Sequence, residues 1–181
     1  MKSLVIIFFL FICGCAASGP SFSDSQAGMM LTSGETAKVV FFRTKETALY
    51  IARKAAVYID DSKIGGTAYG GFHFHDVSPG QRRLRTEMWD SPGNCELTLN
   101  AVAGETYYFQ VDPRQESFGA FFAAGTAASL ISGGVLLADL GGGLAGAAAE
   151  SYGKDCGGAF RLYPVDEETA LSKLSALRLS E

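Results

Sequence analysis

The sequence predicts a mainly β protein: an antiparallel β-sandwich of about seven strands with a Gly/Ala-rich helical insertion and a C-terminal helix. Three observations predict it. Short β-branched and aromatic runs recur between residues 38 and 165, turn-forming Gly and Pro clusters separate them, and one Gly/Ala-rich stretch at 117–150 interrupts the series. A chain of 181 residues, 48% hydrophobic, suits a single domain with appendages.

The strands follow in order. Lys38–Arg43 is β-branched and aromatic, and Ala55–Asp60 repeats the pattern. Asp60-Asp61-Ser62-Lys63 supplies a turn, and Lys63-Ile64-Gly65 begins a short return strand. Gly70–Val77 alternates with period 2, which sends Phe72 and Phe74 to one face and His73 and His75 to the other. The phenylalanines are expected to fill the core and the histidines to sit on the solvent face. Ser78-Pro79-Gly80-Gln81 is a turn, because Pro presets φ and Gly accepts a positive one. Arg82–Trp89, Cys95–Val102, Thr106–Asp112 and Gly158–Val165 complete the set. Asp166-Glu167-Glu168-Thr169 opens a helix with acids in the first turn, where the macrodipole favours them. Ala170, Leu171, Leu174 and Leu177 form an apolar stripe suited to docking on the sandwich.

The N-terminus sets the compartment. Lys2 precedes an apolar core, Leu4–Ile12, which is too short to span a bilayer and reads as a secretory signal. Ile12-Cys13-Gly14-Cys15 resembles the bacterial lipobox, with Cys13 where a smaller residue is more usual. Small Gly14 makes Cys15 the acceptor thiol; the alternative is cleavage after Ala16 or Ser18. That resemblance implies three acyl chains on Cys15, and Ala16-Ala17 in place of an Asp implies the outer membrane, with the domain facing the periplasm. The remaining cysteines, Cys95 and Cys156, form an even pair in an oxidising compartment and are expected to be disulfide-bonded; free thiols or half of a metal site are the competing readings. The chain thus divides into a signal peptide (1–14), a flexible tether rich in Gly, Ser and Ala (15–35), a β-domain (36–165) with insertion 117–150, and a C-terminal helix (166–181).

Residues 117–138 carry no charge, and small residues recur at Ala120, Ala124, Ala128 and Ser132, a spacing that lets helices approach closely. A single membrane crossing would divide one β-domain between two sides. Three readings stay open: a hairpin turning near Ser132-Gly133-Gly134 that touches lipid or a partner protein, a helical insertion packed on its own domain or against a second copy, and disorder.

Chemistry is sparse. His73 and His75 could share a metal, but no third ligand is placed beside them, and Asp60-Asp61 lacks a calcium ligand series. No GxSxG elbow occurs, and Glu87, Glu96 and Glu105 show no glycosidase spacing. Gly65-Gly66 and Gly70-Gly71 lack the Lys-Ser/Thr of a phosphate cradle. The reading is therefore no enzyme, no catalytic residue, no metal and no cofactor. A net charge of −4, with Arg82-Arg83-Leu84-Arg85 the densest basic cluster, argues against nucleic acid as a partner.

Lys38–Arg43 and Val57–Gly65 resemble the opening of the bacterial family named domain of unknown function 2846. Gly71-Phe72 through Gly80, Leu97-Thr98-Leu99 and Ala103–Tyr108 extend the likeness over residues 36–112, and Cys156–Leu162 continues it. The strand-turn-Gly pattern is also similar to PEGA-type β-domains. The resemblance implies a small β-sandwich on an exported, often lipid-anchored protein, and transfers no catalytic residue. The expected function is a lipid-anchored, non-catalytic envelope module that contacts the membrane through Cys15 and membrane or partners through 117–150. The alternative is a periplasmic binding module for a glycan, a peptidoglycan fragment or a small ligand, with Tyr58, Tyr107 and Trp89 as its aromatic candidates.

Overall fold

The computed structural model describes residues 16–29, 34–115 and 156–180. The signal peptide, Cys15 and the insertion 117–150 lie outside the described residues. The chain is mainly β, with two sheets and two short helices. Helix α1 (Phe22–Met29) precedes β1 (Ala37–Phe42), β2 (Ala55–Ile59), β3 (Ser62–Thr67), β4 (Gly71–Val77), β5 (Gly80–Glu87), β6 (Asn94–Ala101) and β7 (Thr106–Pro113). After the insertion come β8 (Phe160–Val165), α2 (Glu167–Leu174) and β9 (Arg178–Leu179).

The order in sheet I is β8-β7-β1-β4-β9, and in sheet II β3-β2-β5-β6. Alternation aims Val39, Phe41, Phe109 and Val111 of sheet I at Val57, Ile59, Leu84 and Leu99 of sheet II, and one continuous core fills the space between them. The β2–β3 hairpin turns at Asp60 and Asp61, both at positive φ (48° and 68°), the backbone of a two-residue turn matched to strand twist.

The expected antiparallel pairing requires correction. β1 pairs parallel with β7, and β4 pairs parallel with β9. β7 enters sheet I beside the start of β1, where Lys38 N donates to Glu105 O at 2.9 Å, so the two strands run the same way. Nine strands occur among the described residues rather than about seven, and the short β9 lies where the sequence predicts helix. The last helix ends at Leu174, and Arg178–Leu179 pairs with the edge of β4 instead.

Sheet I is covered on its second face as well. Val40, Phe42, Phe72 and Tyr108 pack against Phe22 of α1 and against Ala170, Leu174 and Leu177 at α2. The α2 stripe docks as its spacing predicts, except that Leu171 is exposed. Asp166 caps α2 by accepting from Thr169 N at 2.9 Å. This double cover corrects the reading of β4. Phe72 and Phe74 face the helices, while His73 points between the sheets and is buried; His75 is exposed.

The segment read as a tether is also corrected over its described part. Ala17 N donates to Tyr69 O (3.1 Å), Gly19 N to Leu179 O (3.2 Å) and Phe22 N to Leu177 O (3.2 Å), strapping the chain to the fold. Phe22, only 5% exposed, meets the Phe72 ring edge-on at 5.5 Å. An aromatic anchor and three backbone bonds outweigh the flexible composition. Phe22→Ala is expected to lower unfolding free energy by about 3 kcal/mol in urea titrations, whereas a true tether residue would leave it unchanged.

Candidate functional site

Topology gathers one set of connections at one end of the fold. The β1–β2 loop (43–54), the β3–β4 turn (68–70), the β5–β6 loop (88–93) and the strap beginning at Ala16 meet there. The chain also leaves the described fold at this end after Gln115 and returns at Cys156. Arg43 shapes the end. Its side chain is fully buried, and its guanidinium donates to Arg53 O (2.7 Å), Leu49 O (2.6 Å) and Tyr50 O (3.1 Å). The Phe160 ring lies 4.9 Å away. Burial lowers its pKa to about 10, with Asp112 opposing the shift, so the cation persists at neutral pH.

The clamped loop presents what the clamp does not hold. Ile51 is 45% exposed, and Trp89 of the adjoining loop is 80% exposed. Arg53 lies 5.6 Å from the Trp89 ring and donates to Asp90 Oδ2 at 2.7 Å. Two shallow recesses flank this arginine. One of about 310 Å³ runs from Ala48 to Arg53 and is floored by Met88; the other, about 360 Å³, is bounded by Trp89, Lys54, Lys63 and Gly66. An open indole beside cations can stack on a planar or sugar ligand or enter a lipid headgroup layer.

Cys95 and Cys156 are joined by a disulfide that ties β6 of sheet II to the point where the chain re-enters sheet I. Gly93 and Gly158 allow the close approach: a Cβ on Gly158 would lie 2.7 Å from Gly93 O, and Gly93 itself has φ of +85°. Closing a loop with a sequence separation of 61 stabilises the fold by about 4 kcal/mol in the chain-entropy view.

The sequence-selected aromatics separate. Tyr58 stands on the outer face of sheet II, donates to Glu87 Oε1 at 2.6 Å and lies under the Arg85 guanidinium. Tyr107 is at the opposite end and holds the 100–102 backbone through its hydroxyl. Trp89 alone of the three stands open. His73 and His75 gather no third ligand, and no group of three or more His, Cys, Asp or Glu is positioned for a metal among the described residues. Asp60 and Asp61 accept from Arg82 and Arg83 as turn ion pairs. Sequence reasoning missed Arg43 as the loop clamp; its placement at the end of an apolar strand was the available signal.

This is a mainly β, two-sheet domain with a disulfide-tied edge and an open aromatic-cationic end. The chain belongs to the family described as protein of unknown function (DUF2846), whose pattern matches residues 33–125, β1 through β7 and beyond. No curated protein and no solved structure matches it.

His73 supplies a stability readout for the packing of the sheets. Its ring stacks on Phe41 (5.3 Å), its Nδ1 lies 3.2 Å from Thr67 Oγ1, and its Nε2 has no partner. Burial, aided by the charge of His75, holds its pKa down to about 4. The unfolded chain therefore takes up this proton first. Stability is full above about pH 6.5 and falls by up to about 3 kcal/mol as pH drops toward about 4. In urea titrations across this range, His73→Asn is expected to be less sensitive to pH than the wild-type chain.

Proposed function

We propose that the chain is a lipid-anchored cell-envelope protein whose β-domain acts non-catalytically, as a structural or interaction module. The observation that carries this reading is the seat of Ala16. The residue following Cys15 already forms a bridge with Tyr69, so acyl chains on Cys15 would hold a folded domain directly at the membrane. The Cys95–Cys156 disulfide supports an oxidising compartment such as the periplasm. Among the described residues no helix is long and apolar enough to cross a membrane. Stable attachment needs more than one acyl chain, which triacylation of Cys15 supplies.

A second reading rests on Trp89: its open indole beside Lys54 and Lys63 is a platform for a glycan or peptidoglycan fragment.

Mass spectrometry of the N-terminal peptide from membranes is expected to find Cys15 acylated. Cys15→Ser is expected to shift the protein out of the outer-membrane fraction. An unmodified Cys15 in membrane-bound protein would remove the lipid-anchor reading.

A further inference from the structure

We infer that the end of the domain carrying Trp89 and Ile51 is a docking face for an anionic phospholipid surface. The inference rests on the lipid-anchor reading for its geometry, and on independent features of the fold for its chemistry.

Geometry comes first. Consecutive Cα atoms are about 3.8 Å apart, so an acylated Cys15 sits one peptide bond from Ala16. Ala16 pairs with Tyr69, whose hydroxyl donates to Lys45 O at 3.0 Å. The attachment point is thus fixed to the β1–β2 loop end, and the strap from Ala17 to Phe22 prevents the domain from swinging away.

Surface chemistry fits the same partner. Of the four large apolar side chains exposed among the described residues, Trp89, the most open, and Ile51 stand here on either side of Arg53, while Val102 stands at the far end. Tryptophan favours the headgroup layer, where its ring is apolar and its N–H is wet. Lys45, Lys54 and Arg178 are exposed at this end. Two of its acids pair with cations, Asp90 with Arg53 at 2.7 Å and Glu46 with Lys173 at 3.5 Å. At the opposite end Arg82 and Arg83 are paired with Asp60 and Asp61, and the acids Glu35, Glu105, Asp166, Glu167 and Glu168 are all exposed, so that end is acidic. A basic, aromatic end and an acidic far end orient a domain on a negatively charged bilayer, where each cation near the surface contributes about 1 kcal/mol.

Trp89 is the only tryptophan in the sequence, so the native protein reports on its own docking. The purified protein would be reconstituted into vesicles of phosphatidylethanolamine and phosphatidylglycerol. Trp89 emission is expected to shift to the blue, lose quenching by acrylamide, and gain quenching by phospholipids brominated near the carbonyl. Unlipidated Cys15→Ser protein should bind the same vesicles weakly, and Lys45→Glu with Lys54→Glu should lower that binding by at least about fivefold per cation removed. The inference is overturned if vesicle-bound protein leaves Trp89 as open to acrylamide as in solution. It is equally overturned if soluble peptidoglycan fragments shift Trp89 emission while lipids do not, which would assign the indole to a glycan. An unacylated Cys15 would fail the anchor reading alone; docking is then decided by whether brominated lipid quenches Trp89 of the unlipidated protein.

Discussion

Strand β1 is buried on both faces, and most of the architecture follows from covering it. All six residues from Ala37 to Phe42 are inaccessible, including Lys38, whose ammonium reaches Asp76 Oδ1 at 2.5 Å. Sheet II covers the side bearing Val39 and Phe41. The side bearing Val40 and Phe42 needs another cover, and it comes from the two ends of the described chain, α1 and α2. Helices of eight residues are marginal alone, so each depends on the apolar face it covers. This dependence is reciprocal: the sheet holds the termini, and the termini keep the sheet dry.

The same economy appears at the Trp89 end. A fully buried arginine must find acceptors within the protein, and Arg43 takes three carbonyls from a single loop. Three bonds to the terminal nitrogens hold the loop bent back on itself, leaving Nε without a partner, and Tyr50 adopts a φ of 53° within it. The tip that results carries Ile51 outward. An exposed apolar side chain is thus a geometric consequence of a buried charge, and the loop presenting it is held from below. Removing Arg43 would leave those carbonyls without their charged donor, so the loop's shape and its exposed tip stand or fall together.

Much of the strand pattern was legible because alternation and turn chemistry are local. Asp60-Asp61 turned as its composition required, and Asp166 capped α2 as its acids implied. Direction of pairing was not legible. Whether β7 lies parallel to β1 depends on where the β6–β7 turn delivers the chain, a non-local fact. Nor could period 2 decide which face of β4 was core, since both are covered; Phe72 and His73 ended up buried in different layers. The α1 helix was hidden in a Gly/Ser-rich stretch, although Ser21 and Asp24 carry a capping signal, with Asp24 N donating to Ser21 Oγ at 3.3 Å. Exposure of Trp89 over Tyr58 and Tyr107 depended on neighbours that the sequence does not name: Arg85 and Glu87 for one, the 100–102 backbone for the other.

The strap changes what an anchor at Cys15 means physically. A flexible linker of 20 residues allows an end-to-end distance of about 25 Å and free rotation, so it would specify no face of the domain. Two peptide bonds to Ala17, whose N donates to Tyr69 O, specify one. With acyl chains on Cys15, the turns at 60–61, 78–79 and 102–105 would be held away from the bilayer, because β1, β2 and β5 run the length of the sheets between the two ends. The acids at Glu35, Glu105 and Asp166–Glu168 would then face the aqueous compartment, beyond the screening length of about 8 Å, so attraction at the basic end sets the orientation. Attachment and charge asymmetry act along the same axis, so the fold itself, rather than a linker, would determine which surface remains available to a partner.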